Sequence, residues 1–185
     1  MASLRSLADP AAAPRGPRAL WLGALLVPSI FATLAFACVA PFAAVAAWAA
    51  LTLARRDALF AVVALWLGNQ VAGFAFLGYS WSADALSWSA AMLIAAWLAM
   101  EAALWAVRRL GTAGVAVRAI LGVGAAIAVN QLALWLATFA LGSVEGSNLS
   151  AITDVVTIDI AWSLGLAAAF AALAATRREA RVAAR

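Results

Sequence analysis

Six long apolar stretches, separated by short polar breaks, organise this chain. Taken as membrane helices they run over about 19–39, 41–54, 58–79, 85–107, 118–141 and 154–176. A bilayer core takes ~20 apolar residues per helix, and lipid offers no partner to an unpaired peptide group, so a helical bundle is the expected fold. The apolar pattern runs unbroken from Ala19 to Ala54, too long for one span. Pro41 supplies the break, because proline disfavours helix at the residue before it and suits a first helical turn. Pro28 is a candidate kink inside the first helix. Residues 1–18, with Pro10, Pro14, Gly16 and Pro17, read as a tail with little fixed structure, and residues 177–185 as a basic tail.

Composition agrees with the pattern. Hydrophobic residues make up 68% of the chain and charged residues 11%, a balance foreign to water-soluble domains. All twelve basic residues are arginine. They gather before the first run (Arg5, Arg15, Arg18), after the second (Arg55, Arg56), around the junction of the fourth and fifth (Arg108, Arg109, Arg118) and at the end (Arg177, Arg178, Arg181, Arg185). Numbered along six crossings, every cluster falls on one side. Basic loops stay in the cytoplasm, so the pattern predicts an all-α membrane protein, a six-transmembrane-helix bundle with both termini cytoplasmic. An Ala-rich chain with arginine in place of lysine suggests a GC-rich bacterial genome, hence a multi-pass protein of the bacterial inner membrane. The net charge of +4 then records loops that meet anionic headgroups, and no basic stripe points to nucleic acid. The first run resembles a signal peptide ending at Ala35–Cys38. Leu34 lies one position too early and the stretch is long, so it is read as uncleaved.

With no histidine and a single cysteine, Cys38, the chain excludes disulfides, His/Cys metal sites and histidine-based catalysis. Cofactors are not expected. Cys38 reads as a small apolar side chain. Asn148-Leu149-Ser150 matches a glycosylation pattern that carries little meaning in a bacterial protein.

The third and fifth runs share a dipeptide, Asn69-Gln70 and Asn130-Gln131. Counted from Arg56 and Arg118, both pairs sit ~18–20 Å above the arginines, near mid-bilayer. Each is followed by a descending run that opens with an acid and an indole, Asp84 with Ser87 and Trp88, and Asp159 with Trp162 and Ser163. The two hairpins read as parallel copies of one element. Amides in hydrocarbon must find partners. They either bond between the third and fifth helices or line a solute cavity, and one amide of each pair could do each.

Asp84, Glu145, Asp154 and Asp159 all fall toward the outer side. Asp84 and Asp154 suit helix starts, where a carboxylate meets the positive end of the dipole. Asp159 lies further inside its helix. Together the acids would make an electronegative mouth that favours a cationic or amine-bearing solute. Glu101 is read as an ion-pair partner of Arg108, Arg109 or Arg118, with proton coupling as the alternative. Nine tryptophans are a heavy load. Trp21, Trp81 and Trp105 suit interfacial belts, whereas Trp48, Trp66 and Trp97 fall at mid-depth. Tyr79, Trp81, Trp88, Trp135 and Trp162 would either pack the bundle or form a stacking wall for a flat or cationic ring.

In size, helix number, cytoplasmic ends and outward polar–aromatic pocket, residues 19–176 resemble the S components of energy-coupling-factor vitamin transporters. The likeness is one of topology and carries over no ligand residues. It implies a small membrane subunit that captures a vitamin-like solute and associates with a transmembrane coupling subunit and ATPases. The first helix of such proteins offers small residues to that subunit. Here Ala43 and Ala47 give such a spacing, but in the second helix. The expected function is therefore capture and transport of a small organic solute, cationic or ring-bearing, by Asn69, Gln70, Asp84, Trp88, Asn130, Gln131, Asp159 and Trp162. A carrier coupled to protons or cations through Glu101 or Asp159 is a variant of it. A non-transporting accessory or assembly subunit of a larger complex is the alternative. An enzyme ranks last, because no nucleophile–base pair is visible.

Overall fold

The computed structural model describes residues 15–35, 40–111, 113–142 and 149–183. Cys38, Glu145 and Asn148 lie outside the described residues, as does the tail before Arg15. Every regular element described is a helix: α1 (Arg15–Ala35), α2 (Phe42–Thr52), α3 (Arg55–Val71) continued by a π turn (Ala72–Phe76), α4 (Ala83–Arg109), α5 (Val115–Leu141) and α6 (Leu149–Ala183). Among the described residues, four segments are long and apolar enough to cross a membrane, Arg55–Phe76, Ala83–Arg109, Val115–Leu141 and Ile152–Thr176. The chain is thus a multi-pass membrane protein.

The starts of α1, α3, α4, α5 and α6 fall earlier than the apolar pattern marks, whereas α2 is shorter at both ends and the continued α3 stops short of its expected end. α1 starts at Arg15, inside the expected tail, and α6 begins at Leu149 and continues to Ala183 through the basic tail. Hydropathy registers only the part of a helix that suits lipid, whereas alanine, arginine and glutamate extend it into the flanks as good helix formers. Asp154 consequently sits within α6 and not at its start. At α4 the N-cap is Ser82, whose hydroxyl accepts from the Ala85 amide at 3.1 Å, with Asp84 in the first turn.

α2 is the hub. Residues Phe42 to Ala50 are all buried. A helix that is apolar all round belongs in an interior, and here α4, α5, α3, α6 and α1 pack about it. Its alanines let these neighbours approach closely. Ala43 and Ala47 are fully buried, so the small-residue spacing faces inward and is closed to an outside partner. At 11 residues α2 is ~16 Å long, about half of a bilayer core. Pro41 precedes it as its N-cap.

Side-chain contacts fix the directions of α1, α2, α3, α4 and α6, and Gly122 near the start of α5 faces Val107 of α4 and Leu51 of α2. Trp21 Nε1 near the start of α1 donates to Thr52 Oγ1 at the end of α2, 2.8 Å. Trp162 Nε1 donates to Ser29 Oγ at 2.9 Å, and Trp66 Nε1 in α3 donates to the Ser89 carbonyl in α4 at 2.8 Å. Phe170 of α6 meets Trp21 and Trp48 with ring centroids 5.4 and 5.9 Å away. Successive helices therefore run in alternating directions, and Arg55, Arg56, Arg108, Arg109 and Arg118 share one end. Trp21 is buried in this aromatic cluster instead of lying in an interfacial belt. Trp105 is exposed at the arginine end, with the Arg109 guanidinium 5.4 Å from its ring, as a belt residue would be.

Glu101 pairs with Arg55, Nη2 to Oε1 2.5 Å, and not with the arginines near its own helix end. The tight α2–α3 turn brings Arg55 across to α4. Both side chains are partly exposed, so the pair contributes little. Glu101→Gln is expected to lower stability by less than ~1 kcal/mol, measured by thermal unfolding in detergent.

Candidate functional site

A cavity of about 220 Å³ opens between α3 and α4, toward the end away from the arginines. α3 and its π turn supply Asn69, Gln70, Gly73 and Phe74, the connecting turn supplies Tyr79, and α4 supplies Ala85, Trp88, Ser89 and Met92. The π turn makes the space. Leu77 N–H bonds the Ala72 carbonyl at 3.0 Å, a five-residue step that widens the helix just beyond the amides. Tyr79 N–H then closes on the Gly73 carbonyl at 3.1 Å, with Gly78 at φ 70° permitting the reversal. The Trp66–Ser89 bond ties α3 to α4 alongside, and on the other flank Gly68 accepts Ile30 of α1 so closely that a Cβ would fall 2.8 Å from Ile30 Cγ1.

The eight residues expected to form one site fall in four places. Asn69, Gln70 and Trp88 line the cavity, and Tyr79 joins them. Asp84 is exposed on the first turn of α4, beside the lining Ala85. Asn130 and Gln131 are on α5, which contributes nothing to this lining. Asp159 and Trp162 belong to the interior of the bundle. The dipeptides share a depth but not a neighbourhood. α3 packs mainly on α1, α2 and α4, whereas α5 packs mainly on α4, α2 and α6, and Asn69 Oδ1, Gln70 Nε2 and Gln131 Nε2 all lack a protein partner, which speaks against the two pairs gluing α3 to α5. Of the stacking wall, Trp81 is 76% exposed and stacks on Phe74 with centroids 4.2 Å apart, and Trp135 sits edge-on to Phe139 on α5.

Asp159 is fully buried, and its Oδ1 accepts the Ala44 amide of α2 at 3.0 Å. The first amides of a helix lack intrahelical partners and carry partial positive charge. Pro41 has no side-chain acceptor to offer them, and Asp159 supplies it from α6. The acid that suits no helix start of its own thus caps another helix. Its Oδ2 and the Ser163 hydroxyl one turn on are buried without protein partners.

Asn69 is 3% exposed, and its Oδ1 has no protein partner. The same holds for Gln70 Nε2. An unmet acceptor and an unmet donor therefore stand on adjacent lining residues. Nothing in the sequence singles out Gly73, Phe74, Ser89 or Met92. The apolar pattern carries no trace of a π turn, and these residues are ordinary in an apolar helix. Comparison with known proteins gives no match: no family model fits the chain, and neither a curated protein nor a solved structure is significantly similar to it.

Proposed function

We propose that this protein is a membrane subunit that captures a small organic, ring-bearing solute at the face opposite its arginines and hands it on for transport. The observation that carries the reading is the cavity itself, bordered by aromatic side chains and by two amide residues that each hold a buried polar atom without a protein partner. Buried polar atoms in a membrane-spanning segment are expensive unless something meets them. A solute does so.

In this reading the chain makes six crossings of a bacterial inner membrane with both termini in the cytoplasm. The arginine distribution supports it. α2 is too short to cross alone, but it returns inside protein, where its backbone meets no lipid. A separate coupling subunit with ATPases, as the resemblance to vitamin-transporter S components implies, would drive release. Because Ala43 and Ala47 are sealed inside, that subunit would dock elsewhere.

One observation favours the accessory-subunit reading. The apolar windows of α5 and α6 are each only 17% buried, and these two helices touch each other sparingly. A neighbouring protein could cover them as lipid would. Mass spectrometry of the gently purified protein separates the two readings. Capture predicts a co-purifying small molecule that the Trp88→Leu variant loses. An empty protein that arrives with stoichiometric polypeptide partners, unchanged by Trp88→Leu, would reject capture.

A further inference from the structure

We propose that the cavity selects a neutral, planar ring carrying an adjacent N–H and C=O on one edge, as a cyclic amide does. The inference rests on the capture reading above and adds the chemistry of what is captured. Asn69 Oδ1 is an acceptor with no protein partner and Gln70 Nε2 a donor with none, both buried, both on residues of the lining. Lipid cannot satisfy either group. One ring edge that donates through N–H and accepts through C=O matches both in kind, once the two amides turn toward the space they border. A hydrocarbon ring would leave both unmet, and a site built for hydrogen bonds rejects such an analogue strongly.

Charge and size narrow the class further. No lining residue is an acid or a base of the Asp, Glu, Lys, Arg or His type. Asp159 is occupied on α2, and Asp84 is outside the lining. A charged solute would be buried with no counter-ion, which a membrane interior penalises heavily. The ligand is therefore neutral, in place of the cation that the outer acids suggest. A cavity of ~150 Å³ holds benzene, so the 220 Å³ here admits a substituted single ring but not an extended molecule. Trp88 and Phe74 supply aromatic lining for such a ring, and Phe74 is held in place by its stack on Trp81.

The test uses the full chain in lipid nanodiscs, with uracil as the probe. Uracil is neutral and planar and presents the required edge. Its N,N-dimethyl derivative keeps the ring and the carbonyls but lacks both N–H groups. Binding is followed by ligand-observed NMR. Uracil is expected to bind roughly tenfold or more tightly than the dimethyl compound, the size of one hydrogen bond that leaves a buried acceptor unmet when lost. Asn69→Leu should erase that preference, and Gln70→Leu should weaken both probes alike. The preference is a ratio within one protein, so a variant that merely packs less well would not move it. Equal binding of the two probes by the wild-type chain overturns the proposed edge and leaves capture standing. Failure of both probes also overturns it. In that case a co-purified small molecule of other chemistry shows that capture survives, and its absence sinks capture as well.

Discussion

Asp159→Ala is expected to destabilise the bundle by about 2–3 kcal/mol, while Asp159→Asn remains close to wild type. The two substitutions separate the atom from its charge. Asn keeps an oxygen for the Ala44 amide, the bond now made at 3.0 Å by Oδ1. Ala leaves that amide unpaired at the start of a helix no water reaches. An ordinary N-cap contributes ~1 kcal/mol, but it is solvent-exposed. Here the acceptor is fully buried and comes from another helix, so its loss also loosens α6 from α2. The opposing effect is relief of a buried carboxylate whose Oδ2 meets no partner, and Asn provides that relief too. Thermal unfolding in detergent, followed by circular dichroism, reads the order. Asn unfolding as early as Ala would mean that the charge, not the acceptor, holds α2.

The second large effect is overpacking of α2. Ala46→Leu should cost about 1–3 kcal/mol, because the added carbons must displace a neighbouring helix. Ala46 is fully buried on a helix ringed by five others, so no free direction exists for the new side chain. Ala128→Leu on α5 makes the same chemical change at an exposed position and is expected to be neutral. The contrast discriminates a central α2 from one of six equivalent spans. Equal unfolding temperatures for the two variants would refute the hub.

These predictions depend on features of different visibility. The helical class and number could be read directly, because an apolar run of membrane length has one way to satisfy its backbone in lipid. Pro41 marked the start of α2 for a local reason, the geometry of its own ring. Asn69, Gln70 and Trp88 could be singled out because polar and aromatic side chains stand out in an alanine-rich helix. Their counterparts on α5 and α6 stood out equally and do not join the cavity. Depth along a helix follows from counting residues, whereas direction around the bundle depends on which helices are neighbours. The partner of Glu101 differs from the expected one for the same reason. Sequence separation favoured Arg108 and Arg109, and the α2–α3 turn delivered Arg55 instead.

By itself the sequence determined that the chain is a membrane bundle of helices, where its helical segments lie and which end gathers the arginines. Each of these is a one-dimensional property, set by hydropathy, proline and charge along the chain. Only the tertiary structure decided that α2 is the core, that Asp159 caps it across 115 positions and that one amide pair of two opens onto a cavity. Those outcomes are set by packing among alanine surfaces that differ little in composition. What distinguishes them is the shape of the neighbouring helix, which no single segment encodes.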